Sequence, residues 1–167
     1  MAKKRSRPGR TVAESETVTQ RIMMPTDANI LGNVFGGSIL RYMDEAAAIT
    51  AFKHARKNVV TASIDRMDFI NPVYVGDLLV LKAKVNYVGR TSMEIGVRIE
   101  AENLTTGEVT HSGTGILTFV ALDDDKLPTP IAPLILVTLE EKRRNNEAMQ
   151  RRELRRAAIE ALATPDT

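Results

Sequence analysis

Residues 38–54 read Ser-Ile-Leu-Arg-Tyr-Met-Asp-Glu-Ala-Ala-Ala-Ile-Thr-Ala-Phe-Lys-His, and this stretch decides the fold. It contains no glycine and no proline, and a helix built from it is apolar on nearly every side. A helix of this kind is a buried one. Three consecutive alanines, Ala46–Ala48, would also let other backbone approach it closely. The sequence therefore predicts one central helix that the rest of the chain encloses.

Strand patterns lie on both sides of this helix. A moderate alternation before it stops at Pro25, and the segments with a strand pattern are residues 17–24, 59–70, 78–88, 93–102 and 109–122. In residues 93–102 apolar side chains alternate with charged ones, which is typical of a half-buried strand. Three of these segments have 11 to 14 residues, and strands of that length are long beside the usual ~5–6. The order β-α-β-β-β-β thus predicts an α+β fold in which a long antiparallel sheet wraps around one helix.

Composition narrows the class of protein. With 167 residues and 43% hydrophobic residues, the chain is expected to form one globular domain. The absence of cysteine excludes disulfides, thiolate metal sites and a cysteine nucleophile. Aromatic residues are scarce, so the chain has few side chains on which the bases of a single-stranded nucleic acid could stack. No apolar run is long enough to span a bilayer, and no secretory signal pattern is present, so we expect a cytoplasmic protein without a membrane partner.

The two ends differ from the middle. Residues 1–13 carry five positive charges and no acid, at Lys3, Lys4, Arg5, Arg7 and Arg10. We therefore predict a disordered basic leader over residues 1–15, a domain over 16–125, a proline-rich linker over 126–137 and a charged helix over 138–163. The helix is expected to be solvated, with its later part docking on the body or on a neighbouring subunit. A nucleic-acid role would rest on the basic tails alone, and we predict none.

The stretch Asn29-Ile-Leu-Gly-Asn-Val-Phe-Gly-Gly-Ser-Ile-Leu-Arg-Tyr-Met-Asp-Glu-Ala resembles the active-site segment of hotdog-fold acyl-CoA thioesterases. It is most similar to the cytosolic acyl-CoA hydrolase group, which includes bacterial broad-range enzymes and brain acyl-CoA hydrolase. Agreement continues through residues 68–77, 88–92 and 117–121. The resemblance covers residues 16–122 and implies a hotdog fold and the hydrolysis of acyl-CoA to fatty acid and CoA.

The resemblance also implies the site residues. Asp44 matches the acidic residue of the central helix that activates water or attacks the thioester. Asn29 matches the amide in the preceding loop that places water or substrate, with Asn33 as a competitor. Gly36, with Gly37 beside it, matches the backbone N–H that polarises the thioester carbonyl. A helix N-terminus suits that role physically, because its N–H groups are unpaired and its dipole is positive.

Other interpretations of the same residues stay open. Asp44 could be a helix carboxylate that pairs with a nearby arginine or lysine, and Asn29 could serve only an Asx turn. Residues Gly89, Arg90, Thr91 and Ser92 form a hairpin turn by their composition. The resemblance adds contact between this turn and the phosphates of CoA, which the charge and fork geometry of Arg90 suit.

No metal site and no cofactor are expected, since CoA is part of the substrate. His54 and His111 are isolated and show no metal-ligand spacing. The two rival functions are a non-catalytic acyl-CoA-binding sensor and a hotdog acyl hydratase or dehydratase. A hydratase needs a histidine paired with an acid, and neither histidine lies in the active-site segment.

The spacing of the site residues predicts an assembly. Asp44 follows Gly36 by eight residues, which is ~12 Å along a helix, too far for both to touch one carbonyl. Gly36 of one subunit is therefore expected to work with Asp44 of its partner, as in the dimeric sites of the family. We predict a homo-oligomer that is at least a dimer, with a trimer of dimers, which is a hexamer, as the larger assembly.

Overall fold

The computed structural model describes residues 8–163 and contains one long antiparallel sheet with one helix against each of its faces. The elements in chain order are β1 (Arg10–Thr11), β2 (Thr17–Ile22), a 3-10 turn (Pro25–Asp27), α1 (Gly36–Ala55), β3 (Asn58–Phe69), β4 (Leu78–Val88), β5 (Ser92–Glu102), β6 (Val109–Leu122), β7 (Leu134–Ile135) and α2 (Leu139–Ala163). The main sheet has the strand order β2-β4-β5-β6-β3, and every neighbouring pair is antiparallel. The predicted α+β fold with its β-α-β-β-β-β core is confirmed.

Helix α1 packs on one face of the sheet, and the chain covers only one face of this helix. Buried positions recur at intervals of three and four residues, as in Ile39, Met43, Ala46 and Thr50. The opposite face carries Ile49 and Phe52, which are 43% and 46% exposed. The expectation of a helix enclosed on all sides is therefore met only in part by one chain, because nothing in residues 8–163 covers this outer face.

Strand β3 is an edge of the sheet and exposes three large apolar side chains. Val60, Ile64 and Phe69 are each about half exposed. Its pairing with β6 is interrupted twice, between Thr61 and Ser63 and between Ile64 and Arg66. Bulges of this kind are frequent on edge strands and beside functional sites. An apolar edge strand invites pairing with another chain.

Strand β5 departs from the half-buried pattern that its alternation predicts. Its apolar residues face α1, but Glu94 and Glu100 on the other face are also buried. Arg151 of α2 holds Glu94 with Nη2 at 2.7 Å from Oε1, and Lys82 and Arg98 hold Glu100 at 2.6 and 2.7 Å. The prediction of a half-buried strand is therefore wrong at Glu94 and Glu100, because paired cations lie over these carboxylates.

The C-terminal helix docks on the sheet from Asn145 to Arg155, so its contacts begin earlier in the helix than predicted and reach into its later part. Asn145 Nδ2 donates to the carbonyl of Asn86 at 2.9 Å, Ala148 is fully buried, and Arg155 Nη1 lies 2.6 Å from Asp65 Oδ2. Leu154 remains 71% exposed. The sparse apolar residues did not indicate the earlier contacts, because these contacts with the sheet are mostly polar.

The leader and the linker are more ordered than predicted. Residues 1–7 lie outside the described part of the chain, but β1 pairs in parallel with β7, and Val12 is only 4% exposed. The Arg10 guanidinium donates to the carbonyl of His54 at the end of α1. Residues 10–15 are therefore ordered, contrary to the prediction, and residues 131–135 pack on the body, because the two segments pair with each other.

Candidate active site

A tight loop leads into α1 and contains both predicted asparagines. Ala28 and Val34 form an antiparallel bridge, and the Asn29 N–H donates to the carbonyl of Asn33 at 2.7 Å. The Asn29 Oδ1 accepts hydrogen bonds from the N–H groups of Leu31 and Asn33, at 2.9 and 3.3 Å. The Asx-turn interpretation of Asn29 therefore holds in the single chain. This arrangement uses its oxygen and leaves the amide NH₂ for another partner.

The first turn of α1 presents unpaired N–H groups. Phe35 is the N-cap residue, and its side chain makes no capping hydrogen bond. The next two residues, Gly36 and Gly37, find no acceptor for their N–H groups among residues 8–163. A Cβ at Gly36 would lie 3.2 Å from the Phe69 ring, so glycine permits the close approach of β3. The geometry fits a donor site for developing negative charge.

Loop and helix start share one open pocket with a volume of about 310 Å³. Its walls include Asn29, Asn33, Gly36 and Phe69. The structure thus brings together three of the predicted site residues. Asp44 does not line this pocket, and it lies two turns farther along α1.

Asp44 is half-buried and contacts the edge strand. Thr61 Oγ1 donates a hydrogen bond to Asp44 Oδ1 at 2.7 Å. No arginine or lysine in the described chain lies within ion-pair distance of Asp44, so the interpretation of a paired helix carboxylate is not what the structure shows. Thr61 was missed at the sequence level, because a threonine in a strand is ordinary and carries no motif.

The predicted CoA turn connects β4 to β5. The Gly89 N–H donates to the carbonyl of Ser92 at 2.8 Å, which closes the hairpin. Ser92 pairs with Val120 of β6, and Val60 of β3 pairs with the same residue. The turn therefore lies about 10 Å, two strand spacings, from the part of β3 that contacts Asp44. Arg90 is exposed, and within residues 8–163 its guanidinium has no carboxylate partner.

The other predicted side chains have structural partners. Burial lowers the pKa of His54, whose ring lies between Ser15 Oγ and the carbonyl of Ala132. His111 Nε2 contacts the carbonyl of Gly113 at 2.9 Å in its own strand. Burial alone would raise the pKa of Asp65, but hydrogen bonds from Ser63, Thr118 and Arg155 keep it below its ordinary value. Asp77 accepts the N–H of Tyr74, as expected of turn chemistry.

The described residues form neither a metal-binding cluster nor a membrane-spanning helix. No group of three or more histidine, aspartate or glutamate side chains in residues 8–163 is arranged to hold a metal ion. No helix in this part of the chain is both long and apolar enough to cross a bilayer.

The sequence of this chain matches a known protein family. The sequence model of the Thioesterase superfamily matches residues 31–108. The uncharacterized acyl-CoA thioester hydrolase YkhA of Bacillus subtilis is 39% identical over 153 residues, which are 90% of this chain and 89% of that protein. The chain belongs to the thioesterase superfamily. Its match to YkhA runs over nearly the full length of both proteins, so this superfamily relationship is not confined to one motif.

Solved members of the thioesterase superfamily have the same fold. An apo-hexameric acyl-CoA thioesterase superposes with a TM-score of 0.88 at 45% identity, covering 91% of this chain and 97% of that one. The acyl-CoA hydrolase of Staphylococcus aureus, solved with butyryl coenzyme A and coenzyme A, superposes with a TM-score of 0.84 at 38% identity. The match covers 94% of this chain and 100% of that one.

Variants of the staphylococcal enzyme have also been solved. In these variants an asparagine, an aspartate and a threonine are replaced by alanine, at positions 15 and 17 residues apart. Asn29, Asp44 and Thr61 of this chain have the same two spacings.

Proposed function

We propose that this thioesterase hydrolyses acyl-CoA to a fatty acid and CoA, at sites that two subunits share. One observation carries the proposal: Asp44 and the pocket of Asn29 and Gly36 contact opposite ends of the same apolar edge strand. Asp44 meets β3 at Thr61, and Gly36 meets it at Phe69. One chain thus carries two half-sites, roughly 12 Å apart along α1.

A two-fold axis through β3 joins the half-sites. If two β3 strands pair antiparallel about an axis at Asp65, Thr61 of one subunit comes opposite Phe69 of the other. Both side chains lie on the face of β3 that meets α1, and within each subunit Phe69 lies against Gly36. Asp44 of one subunit then faces the helix start of its partner, and the exposed residues of β3 become buried. The hexameric relative supports a homo-oligomer, and we propose that the dimers assemble further into a trimer of dimers.

The residues divide the chemistry between the two subunits. Asp44 acts as general base toward water, or attacks the thioester carbon directly, and Thr61 orients its carboxylate. The Gly36 N–H, with Gly37 beside it, stabilises the oxyanion that forms on the thioester oxygen. The free NH₂ of Asn29 holds the water or the carbonyl, with Asn33 as the alternative donor. The spacing shared with the three replaced residues of the staphylococcal hydrolase favours Asn29.

The CoA part of the substrate needs contacts for its phosphates. Arg90 offers an exposed guanidinium without a carboxylate partner in the described chain, at the end of the sheet that also carries Thr61. Guanidinium groups bind phosphate oxygens in a forked geometry. We assign the turn of Gly89, Arg90, Thr91 and Ser92 to this contact. We propose no cofactor and no metal, because a carboxylate, a water molecule and backbone donors suffice for hydrolysis.

The rival enzyme is less compatible with the structure. A hydratase needs a histidine that moves a proton beside the carbonyl. Burial lowers the pKa of His54, and the hydrogen-bond partners of this ring and of His111 are a serine, a threonine and backbone carbonyls. In residues 8–163 neither ring contacts a carboxylate, and neither lines the pocket at the start of α1.

Product analysis tests the proposed function. We expect the protein to release one CoA thiol and one free acid for every acyl-CoA consumed, across a series of acyl chain lengths. Addition of a strong chelator should leave the rate unchanged, because no step uses a metal. Binding of acyl-CoA without thiol release would support the sensor instead. Conversion of an enoyl-CoA without thiol release would support the hydratase.

A further inference from the structure

Asp27 is a buried carboxylate for which the hydrolysis itself has no use. It is 7% exposed and lies two residues before Asn29. Its Oδ1 accepts the Tyr42 hydroxyl at 2.7 Å, and its Oδ2 accepts the Met24 N–H at 2.9 Å. Burial of a carboxylate is costly unless hydrogen bonds compensate it. These bonds lower the pKa of Asp27, with the Met24 N–H as the larger cause and Tyr42 as the second.

The backbone of Asp27 controls the other end of the same loop. Its carbonyl accepts the Phe35 N–H at 2.7 Å. The next residue inward on each side of the loop, Ala28 and Val34, forms an antiparallel bridge. Phe35 is the N-cap residue of α1. One residue therefore clamps both the entry and the exit of the loop that carries Asn29.

Tyr42 connects this clamp to the body of the helix. It lies six residues after Gly36 on the buried face of α1 and is 7% exposed. The Arg21 guanidinium covers its ring from outside, 4.6 Å from the ring centroid. The hydroxyl thus has a fixed position relative to both the helix and strand β2. A hydrogen bond between two buried, well-packed groups holds geometry more firmly than a bond between mobile surface groups.

We propose that Tyr42 is a positioning residue that, through Asp27, sets where Asn29 and the Gly36 N–H stand relative to α1. This inference rests on the proposed thioesterase function, because Asn29 and Gly36 are the groups that it positions. Misplacement of a catalytic group by about 1 Å can cost as much as 10²-fold in rate. The hydroxyl of Tyr42 touches no part of the pocket and acts only through Asp27.

Tyr42→Phe tests the proposal by removing a single oxygen atom. We expect kcat for acyl-CoA hydrolysis to fall about tenfold, because the loop loses its link to the helix and samples other positions. The KM for acyl-CoA and the Kd for free CoA should stay within about threefold, because the phosphate contacts at Arg90 are unchanged. A role confined to stability would lower the melting temperature and leave kcat of the folded enzyme unchanged.

Thr50→Val is the matched control. Thr50 lies two turns farther along the buried face of α1, and its hydroxyl donates to the Ala46 carbonyl at 3.2 Å. Its removal also deletes one buried hydroxyl from the same helix but leaves the loop untouched. We expect a comparable loss of stability with an unchanged kcat. An equal loss of kcat in Thr50→Val and Tyr42→Phe, or an unchanged kcat in Tyr42→Phe, overturns the proposal.

Asp27 supplies a second variant and a test of the route. Asp27→Ala combined with Tyr42→Phe should be no slower than Asp27→Ala alone, because the hydroxyl acts through that carboxylate. Losses that multiply in the double variant contradict this route. If Tyr42→Phe does not fold, Asp27→Asn keeps an acceptor for Met24 and should still lower kcat without changing KM. Absence of thiol release by the wild type and by Thr50→Val would instead refute the proposed function itself.

Discussion

Replacement of Asp44 by asparagine should lower kcat for acyl-CoA hydrolysis by about 10²–10⁴-fold, the usual contribution of a positioned general base. Asparagine has nearly the same size and retains an oxygen that can accept the Thr61 hydroxyl, which lies 2.7 Å from Asp44 Oδ1. The fold and the affinity for acyl-CoA should therefore persist. Steady-state kinetics with thiol detection, together with the Kd for CoA, measures both expectations.

Glu45→Gln is the control for this experiment. It makes the same change from carboxylate to amide one residue away, on the exposed surface, where Glu45 pairs with Arg41 at 3.0 Å. Exposed pairs of this kind contribute little. We expect its kcat to equal that of the wild type. A near-normal turnover of Asp44→Asn would place the proposed chemistry on the wrong residue.

Asn29 should give the second large effect. Loss of one donor to a developing oxyanion typically costs about 10²–10³-fold in kcat, and we expect a loss in the lower part of that range for Asn29→Ala. Asn29→Asp separates the two uses of this side chain. The carboxylate still accepts the N–H groups of Leu31 and Asn33, so the loop keeps its turn, but the NH₂ donor is gone. We expect this variant to keep its melting temperature and to lose activity.

Asn33→Ala decides between the two asparagines. Both side chains line the pocket at the start of α1. If Asn29 is the donor, Asn33→Ala should retain kcat within about threefold. An active Asn29→Asp enzyme and an inactive Asn33→Ala enzyme would assign the catalytic amide to Asn33.

Local patterns in the sequence were sufficient to predict most of the fold. Strand β4 begins at Leu78 and ends at Val88 as predicted, because a turn with Gly76 precedes it and Gly89 follows it. Helix α1 begins at Gly36, two residues earlier than its apolar run suggested. Such boundaries depend on residues that lie close together in the chain, so they can be predicted from the sequence.

Contacts between distant residues were not predictable in the same way. The partner of Glu94 is Arg151, 57 residues later, and β1 pairs with β7 across most of the chain. A strand of two residues is too short to show the alternation of apolar and polar side chains from which strands are predicted. The same limit explains the candidate site. Motif residues indicated Asn29, Gly36 and Asp44, whereas Thr61 became visible only when the fold placed β3 against α1.

Complementation between two inactive variants tests the shared site most directly. Asp44→Asn and Asn29→Ala chains are unfolded together in equal amounts, refolded into mixed assemblies and assayed for release of CoA thiol. If each site takes Asp44 from one subunit and Asn29 from its partner, about a quarter of the sites receive both intact residues, and about a quarter of wild-type activity returns. Each variant refolded alone should stay inactive. If Asp44 and Asn29 of the same chain act together, every site retains one defect. A mixture no more active than its components would contradict the shared site.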